Sequence, residues 1–329
     1  MSFLHGKDSI MKNKITKRIL QAIPMLLFIS FVSFLLMNLA PGDPAQGYIT
    51  PKMSKEQADL IRASLGLDKP MLTRYFLWLK NVLSGDLGYS LVSRQAVASE
   101  ISSRFLATIG LMGSSLLFAI IVSIPLGLYT GMHRNKFLDR FTNILNYIAI
   151  SIPSFWFAMI LLSIFSLKLK WLPSVGMRTI GVTSSLDVIK HSILPTIVLS
   201  FSNIAVLTRY VRSCTITELK QDYIVTAISK GASKNRILFN HIMKNALLPM
   251  ITILGMSLPS LVSGAFITET IFGWPGLGRL GINSIKSLDY PVIMAMTLVT
   301  SIMVVLGNLI ADISYVLVDP RIRRGDENV

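Results

Sequence analysis

The chain has 329 residues, 52% hydrophobic and only 15% charged, with a mean hydropathy of +0.58. A soluble globular chain carries roughly 25% charged residues, so too few polar side chains remain here to coat a water-facing surface. The net charge of +15 fits cytoplasmic loops under the positive-inside rule better than nucleic acid. A soluble enzyme, a disulfide scaffold (Cys214 is the single cysteine) and a disordered tail are excluded, leaving an integral membrane protein.

A membrane-crossing helix needs about 20 apolar residues, because each residue rises about 1.5 Å. Stretches free of Asp, Glu, Lys and Arg run over residues 19–42, 105–130, 141–167, 192–208, 246–268 and 291–311. They predict an all-α polytopic protein with six transmembrane helices. The 17-residue run 192–208 must recruit flanking residues to cross. The first run follows a basic segment (Lys12, Lys14, Lys17, Arg18). It exceeds the roughly 7–15 apolar residues of a signal peptide and lacks a small-residue cleavage site, so it reads as a retained first helix.

With a cytoplasmic N-terminus, the inner segments are 1–18, 131–140, 209–245 and 319–329, and they hold 18 basic residues in 76 positions. The outer segments 43–104, 168–191 and 269–290 hold 14 in 108. Basic density is nearly doubled on the inner side, which predicts that both termini are cytoplasmic. In the external loop 43–104, Leu72, Tyr75, Phe76, Leu79 and Leu83 recur at helical spacing, the pattern of an amphipathic helix on the outer surface. No internal repeat or low-complexity segment interrupts the chain. Pro24, Pro125, Pro153, Pro195, Pro249 and Pro259 fall inside the runs, where each removes a backbone donor and favours a kink.

Familiar catalytic chemistry is absent from the sequence. There is no GxxxxGK[ST] loop, HExxH or GxSxG, and His5, His133, His191 and His241 lack metal-ligand spacing. Gly276-Leu-Gly278-Arg-Leu-Gly281 matches GxGxxG but follows Phe-Gly-Trp-Pro rather than a strand, so it reads as a tight turn at the membrane surface. Ionisable groups beside the runs are Glu269, Asp312, Arg209 and Arg212. Intramembrane charges are functional candidates by default, yet these lie near helix ends, where snorkelling or an ion pair explains them equally. Nothing resembles a proton-relay ladder.

The stretch 209–245 reads as two short helices joined at Gly231, which supplies a left-handed stop. Tyr223, Ile224, Ala227 and Ile228 give the first an apolar face, and Ile237, Leu238, Ile242 and Met243 the second. Such an elbow can dock into a groove of another protein or pack beneath its own bundle, and the residues alone do not decide between these.

Asp222-Tyr-x-x-Thr-Ala-x-x-Lys-Gly231 followed by His241-x-x-x-Asn245-Ala-Leu-Leu-Pro249 resembles the EAA loop of ABC-importer permeases in the dipeptide/oligopeptide/nickel branch. Further matches in register are Leu39-Ala-Pro-Gly-Asp43-Pro44-Ala, Leu65-Gly-Leu-Asp-Lys-Pro70 and Ser84-Gly-Asp86-Leu-Gly88. Glu269-Thr-Ile-Phe-Gly-Trp274-Pro275-Gly276-Leu-Gly278-Arg-Leu and Leu317-Val-Asp319-Pro320-Arg321 complete the series. The resemblance covers nearly the whole chain and is strongest to the B-type permease, the one with a long first external loop. Asp222 replaces the name-giving Glu and keeps the carboxylate.

The resemblance implies a type I importer permease fold in a bacterial plasma (inner) membrane. A five-helix core would occupy 105–318, with the coupling loop 209–245 and a cytoplasmic tail 319–329. It also implies a second homologous permease, two ATPase subunits and an extracellular or periplasmic binding protein, with membrane lipid around the bundle and no nucleic acid. Asp222, Tyr223, Thr226, Ala227, Lys230, Gly231, His241, Asn245 and Pro249 would form the ATPase-coupling loop. Glu269, Trp274, Pro275, Gly276 and Gly278 would form an outer turn facing the binding protein. The chain would be non-catalytic, without a metal or cofactor of its own. Short peptides are the expected cargo, nickel or a metal chelate the alternative. The rival of another class is a self-contained ion-coupled carrier or channel, which the scarcity of midplane charge disfavours. A membrane-embedded enzyme would need clustered catalytic groups that the sequence lacks.

Overall fold

A computed structural model describes residues 2–39, 45, 49, 53–64, 66–243, 250, 253 and 265–318. Among them the architecture is helical, with one isolated antiparallel bridge, Tyr89 to Ala96. In chain order the helices are α1 (Ser2–Leu39), α2 (Lys55–Ser64), α3 (Met71–Leu83), α4 (Val97–Met132), α5 (Phe137–Ser151) and α6 (Ser154–Leu161). α6 passes into a π-helical stretch, Leu162–Lys168. α7 (Ser185–Glu218), α8 (Asp222–Ser229) and α9 (Lys234–Ile237) follow, the last passing into π-helical Leu238–Ile242. Residues 265–271 form α10, and α11 (Leu277–Lys286) and α12 (Tyr290–Val318) close the described chain.

Thr16–Leu39, α4, α7 and Tyr290–Ala311 are each long and apolar enough to cross a membrane. α5 with α6 and its π extension makes a fifth span if the bent pair is counted as one, so the described residues hold four or five of the six expected spans. The run 246–268 lies for the most part outside the described residues.

The run 141–167 is not one kinked helix: its halves meet at 107°. Pro153 offers no N–H and drives Ile152 out of the helical region, to φ −78° and ψ 126°. The 17-residue run 192–208 recruits flanks on both sides to become the 34-residue α7, so residues 209–218 of the expected loop are helical. α4 begins before residue 105 because Glu100 and Arg104, which interrupt the charge-free run, pair with each other at 3.1 Å on successive turns.

α3 exists as read, but its packed face is rotated from the expected one. Tyr75 is buried against Phe34 and Met294, with Met71, Trp78 and Leu79 beside it, while Leu72, Phe76 and Leu83 are exposed. The Tyr75 ring stands edge-on to Phe31 and Phe34, and its hydroxyl lies 2.9 Å from Ser30 Oγ. Burying that aromatic body while satisfying its hydroxyl orients the helix.

The bundle centres on α4 against α7. A Cβ added at Gly127 would lie 2.6 Å from Val211 Cβ, and one at Gly131 2.5 Å from Thr215 Cβ. The Gly127-Leu-Tyr-Thr-Gly131 spacing therefore lets the two backbones approach within a side chain's width. Near this crossing Arg212 of α7 pairs with Asp139 of α5. Arg212 Nη2 reaches Asp139 Oδ2 at 2.9 Å and Arg212 Nε donates to Oδ1. Asn135 N and Asn143 Nδ2 donate to the same carboxylate, so this buried acid is both paired and hydrogen-bonded.

Segments expected on one side of the membrane gather at one end of the bundle. At that end Ser90 Oγ and Leu91 N bond Asp289, Gly176 N bonds Phe272 O at 2.8 Å, and Trp274 packs with Met177. Thus residues 90–91, 176–177 and 272–289 meet there, while the end of α4, at Leu128, and the elbow, at Ile224, meet at the other end.

Candidate functional site

The elbow is built on α7. After Glu218 the chain turns over Leu219–Gln221, and α8 starts with Asp222 in its first turn, where a carboxylate complements the helix N-terminus. Thr226 Oγ1 donates back to Asp222 O at 2.9 Å, and the Tyr223 hydroxyl donates to Glu218. Ile224 is fully buried in a cluster with Leu207 and Val211 of α7, Leu128 of α4, and Ile237, Ile242 and Met250. Ala227 is half-buried.

α8 ends in a Schellman motif. Gly231 has φ +78°, its N–H donates to Ile228 O at 2.9 Å, and Ala232 N donates to Ala227 O at 3.0 Å. Lys230, at the C-cap, is exposed. Beyond the turn, Ile237 and Ile242 are buried with Leu238 and Met243 packed beside them, the face expected for the second helix. His241 lies in the π-helical stretch. Asn245 and Pro249 lie outside the described residues.

The expected face of α8 needs correction. Of its four residues only Ile224 is fully seated. Tyr223 and Ile228 are 42% and 54% exposed, and Val225 beside them is 53% exposed. Eight residues make barely two turns, so a single well-buried side chain fixes the helix and the rest of its apolar surface stays open. The elbow therefore packs under its own bundle through Ile224 and leaves Tyr223, Val225 and Ile228 exposed.

At the opposite end Glu269 is fully buried in α10. Thr108 Oγ1 donates to Glu269 Oε1 at 2.6 Å, and Arg279 N donates to Oε2 at 3.1 Å. Thr108 Oγ1 in turn accepts from Leu277 N at 2.7 Å, so the α11 N-terminus is capped by an acid and a hydroxyl from two other helices. Trp274 Nε1 donates to Ala107 O at 3.0 Å, and Arg279 Nη1 to Gly273 O at 2.6 Å. A Cβ at Gly276 would fall 2.1 Å from Glu269 Oε1, and one at Gly278 2.4 Å from Phe266 Cα. Of the five residues expected on an outward turn, Glu269, Trp274, Gly276 and Gly278 are buried and only Pro275 is exposed. These four shape the turn from inside, and Pro275 with Arg279 forms its exposed part.

Residue reasoning did not single out Thr108, Asp139 or Asp289. Asp139 had a readable signal, being the lone acid in the basic connection Arg134, Lys136, Arg140. Thr108 sits inside an apolar run with none. Of the flagged ionisable groups, Arg212 is an ion-pair partner and Arg209 lies 5.1 Å from the Tyr147 ring centre, a cation–π contact.

These features define a multi-pass helical membrane protein with a capped elbow at one end and a hydrogen-bonded Glu269 turn at the other. Residues 123–324 match the family described as binding-protein-dependent transport system inner membrane component, and residues 11–112 match its N-terminal counterpart. The chain belongs to this family, the membrane permeases of ABC importers. It is 43% identical over 310 residues to the oligopeptide transport system permease protein AppB of Bacillus subtilis (strain 168), covering 94% of this chain and 98% of the relative. It is 37% identical over 313 residues to the glutathione transport system permease protein GsiC of Escherichia coli (strain K12), covering 95% and 99%.

Proposed function

We propose that this chain is a non-catalytic permease subunit that forms, with a second homologous permease, the translocation path for short peptides. An extracellular or periplasmic binding protein delivers the peptide, and two separate ATPases supply the energy, so the chain needs no cofactor or metal of its own. The names of the relatives, an oligopeptide permease and a permease for glutathione (itself a tripeptide), support peptides over nickel or a metal chelate. The basic excess of residues 1–18, 131–140, 209–245 and 319–329 supports cytoplasmic termini and a cytoplasmic elbow. The Glu269 end then faces the binding protein through Pro275, Arg279 and the loop 43–104.

The observation that carries the reading is the elbow. Tyr223, Val225 and Ile228 offer an apolar docking surface while Ile224 anchors the same short helix to α7 and α4. ATP-driven closure of the ATPases moves α8, Ile224 passes the displacement to Leu207 and Val211, and the close α4–α7 crossing moves those two helices together. The Thr108–Glu269 contact links α4 to α10 at the far end. Ligand at one site thereby biases a two-state bundle at another.

Cysteine crosslinking tests this directly. With Val225→Cys in the assembled complex, a short bifunctional reagent should join the permease to an ATPase subunit, with a yield that changes on adding ATP. Labelled tripeptide uptake by cells should require both subunits. Uptake into liposomes holding this chain alone would refute the subunit reading and favour a self-contained carrier.

A further inference from the structure

A cavity of about 300 Å³ opens between α1, α3 and the start of α12. Its walls include Phe34, Met37, Arg74, Trp78, Asn81 and Met294. Its height in the membrane follows from the spans. Asn38 on its rim is one residue from the end of Thr16–Leu39, and Tyr290 on the opposite rim begins Tyr290–Ala311. The cavity therefore sits at the edge of the hydrocarbon layer, with Trp78 and Tyr290 where interfacial aromatics belong.

The wall carries one cation, Arg74, beside the amides Asn38 and Asn81 and the carboxylate Asp86. The Arg74 guanidinium stands 5.9 Å from the centre of the Phe34 ring, and burial pulls its pKa below the ordinary value. It stays charged regardless. Among the described residues no carboxylate pairs with it: the ion pairs there are Arg62–Asp59, Arg104–Glu100, His191–Asp187 and Arg212–Asp139. Asp86 on the same wall accepts from Gly88 N at 2.9 Å. A half-buried arginine above an apolar slot at the membrane boundary matches an anion joined to a hydrocarbon chain. A soluble anion would leave the apolar walls wet, and an uncharged alkyl chain would leave the cation unanswered.

We propose that this cavity binds one phospholipid, with its phosphate on Arg74 and an acyl chain against Phe34, Met37 and Met294. The inference requires only that the chain spans a membrane and is independent of the cargo and of which end is cytoplasmic.

The test uses the full permease complex, delipidated in detergent and titrated with dioleoylphosphatidylglycerol while native mass spectrometry counts bound lipid. Wild type should take up one molecule ahead of the nonspecific background. Arg74→Gln should bind roughly tenfold more weakly, as expected for loss of one charge-assisted hydrogen bond. Leu77→Trp, which fills the slot without touching the charge, should weaken binding as well, whereas Lys80→Gln, on an exposed residue off the wall, should not. Inorganic phosphate in large excess should leave the bound lipid in place. No preferential lipid on wild type would overturn the proposal, and this needs no variant to fold. Displacement by inorganic phosphate, or equal binding by Arg74→Gln and wild type, would overturn it too.

Discussion

Substituting Gly231 tests the proposed coupling role of the elbow most sharply, because its constraint is purely torsional. An added Cβ meets no atom within 4 Å, so no clash interferes, yet the residue sits at φ +78°. An L-residue held there is strained by about 1–2 kcal/mol, more when β-branched. If the turn relaxes instead, it gives up two backbone bonds of 2.9 and 3.0 Å, each worth about 0.5–1.5 kcal/mol net. Either route loosens the α8–α9 angle by about 1–3 kcal/mol, enough to depopulate the docked geometry several-fold to a hundredfold. Gly231→Val should therefore reach the membrane at normal levels and leave ATP hydrolysis running, while peptide uptake falls by about tenfold or more. Gly231→Ala should be intermediate, and Gly231→Asn, whose side chain tolerates the left-handed region, the mildest. Peptide uptake and ATPase rate measured side by side on the three variants decide the matter. Equal uptake by Gly231→Val and wild type would refute the reasoning.

Other sites give independent tests. Gly131→Ala places a methyl 2.5 Å from Thr215 Cβ and should cost about 1–3 kcal/mol by overpacking, read as a lower thermal midpoint in detergent. Arg212→Gln strands the buried Asp139 carboxylate on Asn135 and Asn143 alone and should destabilise by about 3 kcal/mol. Adding Asp139→Asn should recover part of that, and a double variant no more stable than the single would contradict the ion-pair account. Gly276→Ala drives a Cβ into the Glu269 carboxylate at 2.1 Å and should open the Trp274 turn. A red-shifted, more quenchable tryptophan emission would reveal it, and unchanged emission with normal protein levels would argue against the burial described.

Much of the bundle was legible because charge-free runs report where hydrocarbon can be crossed. Charge also misplaces ends. Glu100 and Arg104 cut the α4 run short although they neutralise each other, and the missing length of 192–208 was supplied by flanking polar residues that remain helical. Pro153 was visible as a disturbance, but whether a proline bends a helix or breaks it at 107° depends on what packs on either side. Gly231 was readable as a left-handed stop because only its backbone matters. The faces of α3 and α8 were not, since periodicity ranks apolar residues without saying which of them a neighbour covers. Glycines such as Gly127 and Gly131 carry their meaning in what stands opposite, and Thr215 and Val211 lie more than 80 residues away. For the same reason the buried state of Glu269 depended on Thr108, 161 positions earlier.

The seating of α8 by Ile224 alone has a mechanical consequence. A joint with a single deep contact passes on a push or a pull along its axis but resists twisting poorly, whereas the α9 side, held by Ile237 and Ile242 together, resists both. Under the proposed coupling, displacement of a motor domain toward or away from the bundle would pass through Ile224 to Leu207 and Val211 more directly than rotation about the same point.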